Sequence, residues 1–199
     1  MKKALTIVGL FIGINATAQV ATSGTTNSGT NASAIGYQSS ATNTVSTAIG
    51  RETLASGVTS TAMGYQTSAT NTASTAMGNS STASGVTSTA IGNNSTASGE
   101  TSIAMGFETE ATDSASIAMG YQTTSSGGAS TAMGFITTAS GFGSTSIGYK
   151  TTASGYGSTS IGYQTTASGN SSTAIGKNTI ASDFGSLVIG QYNLSGSTV

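Results

Sequence analysis

One large apolar residue recurs every fourteen positions along this chain, and it always precedes a glycine. These glycines, predicted to be structural turn residues, are Gly36, Gly50, Gly64, Gly78, Gly92, Gly106, Gly120, Gly134, Gly148, Gly162, Gly176 and Gly190. The residue before each of them is Ile or Met. A strict period without insertions is the signature of a repeat architecture, whereas a disordered linker has no reason to keep such a register.

The residues around each glycine alternate in period two, as in a short β-strand. Ser88-Thr89-Ala90-Ile91-Gly92 is one example, and a second short strand fits the segment Thr-Thr-Ala-Ser at residues 151–154. Seven residues after each glycine stands mostly Gly, Asn or Asp, which tolerate positive φ at tight corners. Fourteen residues are also two heptads, but the Gly, Ser and Thr content and the lack of a/d spacing exclude a coiled coil. Two strands and two corners therefore predict one rung of an all-β solenoid, and twelve rungs give a rod of about 55–60 Å.

We expect the Ile or Met column to lie inside the roll, together with the Ala that follows each glycine by five residues. The predicted core residues are Ile49, Met63, Met77, Ile91, Met105, Met119, Met133, Ile147, Ile161, Ile175 and Ile189. The Ala or Ser two residues before each glycine would then lie near neighbouring chains. A register shift of one residue would exchange the two sets of side chains.

Burial of one large apolar residue per rung stabilises the fold only slightly compared with the conformational entropy lost when fourteen residues become ordered. We therefore expect a second face of the roll to be buried, most simply against copies of the same chain. The prediction that follows is self-association.

The N-terminal segment predicts export. Lys2 and Lys3 precede an apolar run over residues 4–14, and Ala16-Thr17-Ala18 is a small-x-small cleavage site. Residues 1–18 are therefore predicted to be a secretory signal peptide, too short to span a membrane. Its removal takes two of five basic residues and leaves three against six acidic ones, a net charge of about −3. That balance excludes a basic nucleic-acid footprint.

Ser88-Thr89-Ala90-Ile91-Gly92 and Ser172-Thr173-Ala174-Ile175-Gly176 resemble the Ser-Val-Ala-Ile-Gly core of the YadA-like trimeric autotransporter adhesin head repeat. The resemblance covers about residues 31–196. It implies a left-handed parallel β-roll and a homotrimer on the outside of a Gram-negative envelope. It also implies non-catalytic adhesion to an extracellular matrix protein or a surface glycan, without a cofactor.

The chain departs from this family in two respects. Thr stands where the family usually has Val, as at Thr61, Thr131 and Thr159, which makes the repeat more polar. The family also continues into a neck, a coiled-coil stalk and a membrane barrel, and no heptad run follows the last repeat here. We therefore expect a fragment or a different anchor, with membrane attachment only through a module outside this chain. The predicted division is a signal peptide at 1–18, a degenerate lead-in or cap at 19–31, the repeat array at 32–196, and a truncated end or junction at 197–199.

The sequence offers little material for catalysis, because it contains no His and no Cys. We predict no enzyme activity and no metal site. Glu100, Glu108, Glu110 and Asp113 form an acidic patch, whose oxygen ligands would suit calcium but which we expect to be a solvated outer face.

Aromatic residues recur directly after the motif glycine, and they are candidates for a ligand-facing stripe or for a ladder that stacks rung on rung. They are Tyr37, Tyr65, Phe107, Tyr121, Phe135, Tyr149 and Tyr163. A second set, Phe142, Tyr156 and Phe184, lies near the other corner.

These features favour a surface adhesin head. One alternative is an ice-binding solenoid, suggested by the paired Thr columns, although Leu54, Glu110 and Ile180 interrupt them. The other is a passive spacer shaft whose functional tip lies elsewhere.

Overall fold

The structure, a computed structural model, describes residues 23–193 as a single solenoid of parallel strands, and this confirms the predicted all-β class and fourteen-residue rung. The predicted signal peptide and the predicted end at 197–199 lie outside the described residues. The described part contains no helix that could cross a membrane. The predicted handedness of the roll stays a prediction.

The longer strand of each rung contains the motif glycine, and twelve of them form one sheet. Each strand pairs in parallel with the equivalent strand fourteen residues away, so that Ile91 lies opposite Met77 and Met105. The strands are β2 (Ser33–Tyr37), β4 (Thr47–Arg51), β6 (Thr61–Tyr65), β8 (Thr75–Asn79), β10 (Thr89–Asn93), β12 (Ile103–Phe107), β14 (Ile117–Tyr121), β16 (Thr131–Phe135), β18 (Thr145–Tyr149), β20 (Thr159–Tyr163), β22 (Thr173–Lys177) and β24 (Leu187–Gln191).

The shorter strand of each rung has two residues and confirms the predicted second strand. The twelve short strands form the second sheet, and its first strand comes from the segment predicted as a lead-in. They are β1 (Thr26–Asn27), β3 (Ser40–Ala41), β5 (Leu54–Ala55), β7 (Ser68–Ala69), β9 (Thr82–Ala83), β11 (Thr96–Ala97), β13 (Glu110–Ala111), β15 (Thr124–Ser125), β17 (Thr138–Ala139), β19 (Thr152–Ala153), β21 (Thr166–Ala167) and β23 (Ile180–Ala181).

The interior between the two sheets consists almost entirely of small side chains. In β12 it contains Ala104, and in the facing β13 it contains Ala111, both fully buried. The Ser before each long strand from β4 to β22 and the Ser or Thr before each short strand from β3 to β23 complete the interior, as Ser102 and Thr109 do in this rung. Side chains of this size allow the two sheets to approach closely.

The predicted position of the Ile or Met column is therefore wrong for the interior of the chain. Met105 is half-buried and points outward, because alternate residues of a strand face opposite sides and Ala104 occupies the inside. The same holds along the column for Ile49, Met63, Met77, Ile91, Met119, Met133, Ile147, Ile161 and Ile175, while Ile189 is exposed. The Ala and Ser column that was expected near neighbouring chains is the one inside, whereas the Ala five residues after each glycine is buried as expected.

Buried hydroxyls are paired where they replace an interior Ala. Ser146 and Ser160 take the place of Ala in two successive rungs, and Ser160 Oγ lies 2.7 Å from Thr165 Oγ1. The Ser146 hydroxyl lies 2.8 Å from Thr151 Oγ1 in the same way. In other rungs the hydroxyl has no such partner, as for Thr137 Oγ1, which is buried without a hydrogen bond.

Positive φ occurs two and nine positions after the motif glycine, and at the glycine itself, rather than at the predicted seventh position. Even the β-branched Ile136 adopts it, with φ of 54°. Its backbone N–H donates to the Tyr121 carbonyl of the preceding rung at 2.8 Å, so a stacked hydrogen bond holds the corner. At Gly106, where φ is 137°, an added Cβ would clash with the carbonyl oxygen of Gly120 in the next rung. Glycine is therefore required there both for conformation and for close approach.

Candidate functional site

The outer face of the long-strand sheet carries three columns of side chains, of which the first is mostly Thr, the second is Ile or Met in every rung, and the third contains the aromatic residues. In β12 these are Ile103, Met105 and Phe107, which alternate with the buried Ala104. Repetition along the sheet produces a half-exposed apolar stripe that runs the length of the solenoid. Continuous exposed apolar surface of this kind marks an interaction site in soluble proteins.

The aromatic column directly after the motif glycine is a continuous stack over five rungs. Phe107 and Tyr121 have ring centroids 4.9 Å apart, and Tyr121 and Phe135 have centroids 4.8 Å apart. Tyr149 lies 5.3 Å from Phe135 and 4.8 Å from Tyr163, and all neighbouring rings are within 8° of parallel. The rings therefore cover one another's faces and present mainly their edges to solvent.

Cationic side chains extend this column, which the sequence analysis did not anticipate. The Arg51 guanidinium lies between two rings, 5.6 Å from the centroid of Tyr37 and 5.4 Å from that of Tyr65. Lys177 Nζ lies 5.8 Å from the Tyr163 centroid. The signal was available, because Arg51 and Lys177 occupy the aromatic column of the repeat and cations are attracted to ring faces.

The column is interrupted between Tyr65 and Phe107, where the equivalent residues are Asn79 and Asn93. Both asparagines are exposed, and the Asn79 Oδ1 accepts a hydrogen bond from Ser80 Oγ at 2.9 Å. The predicted aromatic set is thus divided into an N-terminal pair around Arg51 and a five-ring stack.

The second aromatic set lies at the opposite corner of the rung and is much more exposed. Phe142 and Tyr156 stack with centroids 5.4 Å apart and planes 12° from parallel. Their side chains are 56% and 61% exposed, and Phe184 is 83% exposed. We call Phe142, Tyr156 and Phe184 the corner aromatics.

The predicted acidic patch is divided between the two corners. Glu108 and Glu110 line a shallow depression with Asn94, Gln122 and Thr124, and Gln122 Nε2 donates to Glu108 Oε2 at 2.7 Å. Glu100 and Asp113 lie at the other corner. Glu100 occupies the column of the corner aromatics, and Asp113 occupies the column of the residues that precede them.

No three His, Cys, Asp or Glu side chains within residues 23–193 are grouped so that they could hold a metal ion.

Glu52 belongs to a polar network on the surface. Gln66 Nε2 donates to Glu52 Oε2 at 2.8 Å, and Arg51 Nε donates to Glu52 Oε1 at 3.0 Å. These hydrogen bonds, the one from Gln66 first, hold the pKa of Glu52 below its ordinary value. The Glu52 side chain is half-buried at the surface, with 27% of it accessible, so the network is a surface feature rather than a reactive centre.

Parallel sheets, a fixed rung length and stacked columns define the chain as a β-solenoid repeat protein. The YadA head domain repeat, taken as two copies, matches residues 28–53, 55–81, 83–109, 111–135, 139–165, 153–179 and 167–193. The chain belongs to this family, whose members are surface-exposed and adhesin-like, and whose repeats are typically structural and adhesive rather than catalytic. A comparison with curated proteins finds no match.

Proposed function

We propose that this chain is the non-catalytic head of a cell-surface adhesin, exported through its N-terminal signal segment. It attaches the cell to an extracellular matrix protein or a surface glycan. Membership of the YadA head repeat family supports this proposal. So does a surface built from repeated outward columns of side chains along the solenoid.

The proposed working form is a homotrimer in which the long-strand sheets of three chains cover one another's outer faces. The observation that carries this is the outward column of half-exposed Ile and Met, for example Met105 in the middle of β12. The interior contributes mainly Ala, Ser and Thr, so covering this column adds the apolar burial that a single chain lacks. Closed cyclic assemblies are the usual way in which identical chains bury a shared face.

Light scattering on the mature chain tests the assembly. We expect three times the chain mass for the wild type and loss of the trimer in the double variant Met105→Glu, Met133→Glu. The matched control is Thr138→Glu, Thr166→Glu on the outer face of the short-strand sheet, a column that already contains Glu110. A monomeric wild type, or a trimer that survives the Met substitutions with unchanged circular dichroism, would contradict this interface.

Attachment is tested by binding of the mature chain to immobilised matrix proteins and to a glycan array. Deleting four whole rungs, residues 135–190, preserves the register of the remaining rungs and removes the corner aromatics. Retained binding with a shorter rod would favour a passive spacer, whereas loss of binding supports an adhesive surface on the removed rungs.

A second candidate is an ice-binding solenoid, favoured by the half-exposed outward column of Thr124, Thr138, Thr152 and Thr166 on four successive short strands. Inhibition of ice recrystallisation that is lost in Thr138→Lys, Thr152→Lys would support it. The absence of inhibition would remove it.

A further inference from the structure

The two aromatic sets differ in the charges that accompany them. In the stacked column, Arg51, Lys150 and Lys177 each have their charged group within 6 Å of a ring centroid. These are all the basic residues of the described chain, since the other two are Lys2 and Lys3. The corner aromatics therefore have no cation of their own to pair with in the described residues.

Carboxylates accompany the corner aromatics instead. A Cβ placed on Gly128 would lie 3.1 Å from Phe142 Cδ2 and 3.7 Å from Asp113 Oδ2, so this ring and this carboxylate meet over the same glycine. At the other end, Asp183 directly precedes Phe184 in the chain. Between Asp113 and Phe184 this corner therefore carries three aromatic rings and two carboxylates.

Successive backbones at this corner are stacked by hydrogen bonds, which fixes the spacing of the rings. Gly157 N donates to the Phe142 carbonyl at 2.8 Å, Ser171 N to the Tyr156 carbonyl at 2.7 Å, and Gly185 N to the Asn170 carbonyl at 2.9 Å. Phe142 and Tyr156 are one rung apart and stack directly. Tyr156 and Phe184 are two rungs apart, a distance of about 9–10 Å at the usual strand spacing.

Asn170 occupies the rung between Tyr156 and Phe184. Its side-chain Oδ1 accepts a hydrogen bond from Tyr156 N at 3.1 Å, so the amide is turned along the backbone. A spacing of two rungs leaves room for one flat group between the rings, at about the separation seen between stacked rings elsewhere in the chain. An aromatic residue at position 170 would have filled this space and continued the stack.

We propose that the corner aromatics, with Asp113 and Asp183, form a binding site for the arginine and lysine side chains of a basic polypeptide. A guanidinium group is flat, stacks on aromatic faces and is weakly hydrated, so it suits the space between Tyr156 and Phe184. Asp183 beside Phe184 and Asp113 near Phe142 add charge complementarity, which a neutral glycan would not use. This site deepens the proposed adhesive function by naming the chemistry of the ligand.

Titration of the mature chain with a synthetic peptide of alternating Arg and Gly, followed by calorimetry, tests the site. We expect Tyr156→Ala and Phe184→Ala each to weaken binding about tenfold, within the range of desolvated cation–π contacts. The matched control is Tyr163→Ala, which lies in the other aromatic column. Asp183→Asn should weaken binding more than Glu110→Gln, a removal of equal charge from the opposite corner.

Equal losses in Asp183→Asn and Glu110→Gln would show diffuse attraction to an acidic protein and overturn the site. So would binding of a neutral glucan oligosaccharide that depends on Tyr156 while the arginine peptide does not bind. Unchanged circular dichroism in each variant separates loss of the site from loss of the fold. Peptide binding that depends on Tyr156 in a chain that adheres to no matrix protein and to no surface glycan would retain this site while rejecting the proposed function.

Discussion

Neighbouring residues of the same strand experience opposite environments in this protein. Ala104 is fully buried between the sheets, and Met105 is half-exposed on the outer face. In an ordinary two-layer fold the larger side chain would be inside. Here the interior is a thin layer of Ala, Ser and Thr, and the larger apolar groups lie outside, where they stack along the rod. The comparison shows that small residues pack between the two sheets, whereas the larger apolar residues pack against one another on the outer surface.

The largest expected effect comes from exchanging bulk between these two faces. Ala104→Leu places a large side chain between sheets whose neighbouring interior residues, such as Ala90 and Ala118, are fully buried. We expect a loss of about 3 kcal/mol in the free energy of unfolding, because overpacking forces the backbone apart.

The matched control is Met105→Leu, one residue along the chain, which we expect to cost less than about 1.5 kcal/mol. Urea unfolding followed by circular dichroism measures both. Similar costs for the two variants would show that the faces do not differ as described.

The next effect separates two kinds of buried hydroxyl in the interior. In Thr165→Val the Ser160 hydroxyl loses its 2.7 Å partner, so we expect a cost of about 1–2 kcal/mol. In Thr137→Val a buried hydroxyl without a hydrogen bond is removed, and the free energy of unfolding should stay equal or rise. Thermal unfolding midpoints compare the pair. A larger loss for Thr137→Val would mean that its hydroxyl is satisfied in solution.

A smaller effect is expected on the outer surface. Tyr121 stacks between Phe107 and Phe135, so Tyr121→Ala should cost about 1 kcal/mol through the loss of two ring contacts. Phe184 is 83% exposed, and Phe184→Ala should change the free energy of unfolding by less than about 0.5 kcal/mol. Urea unfolding measures both variants. An unchanged free energy of unfolding in Tyr121→Ala as well as in Phe184→Ala would contradict the structural role of the stack.

The smallest effect is the pH dependence of the Glu52 network. Because hydrogen bonds from Gln66 and Arg51 lower the pKa of Glu52 in the folded chain, its contribution is present above the unfolded pKa of about 4.3. It is lost as the pH falls through the lower folded pKa.

Glu52→Gln should therefore have a slightly lower unfolding midpoint than the wild type at pH 7, and the gap should close below about pH 4. Glu110→Gln serves as a control at an exposed carboxylate. If the difference in unfolding midpoint between the wild type and Glu52→Gln widened on acidification, the contribution of Glu52 to stability would have the opposite sign.

The period of the sequence was sufficient to predict the rungs, because each glycine pairs with the next, as Gly92 does with Gly106. It could not decide which alternate residues face inward. Alternation in period two places Ala90 and Ile91 on opposite faces of the sheet but does not say which face is the interior. The usual preference for large residues in the core predicted Ile91 inside, and this was wrong. The distance between the sheets decides the matter, and local pattern does not contain it.

The site was predictable in part. The repeat columns predicted the aromatic stack from Phe107 to Tyr163. They could also have divided the acidic patch, since Glu100 and Glu108 occupy columns at opposite corners. The position of Arg51 between Tyr37 and Tyr65 required the stacking distance between rungs, which only the three-dimensional structure supplies.

The unbroken register of fourteen residues has a consequence for how such a protein changes over generations. Each strand pairs only with its equivalents one rung away, for example β10 with β8 and β12. Duplication or loss of fourteen codons anywhere in the array therefore adds or removes about 4.8 Å of rod without altering the kind of contact made. The number of rungs therefore sets the reach of the protein independently of the contacts within each rung.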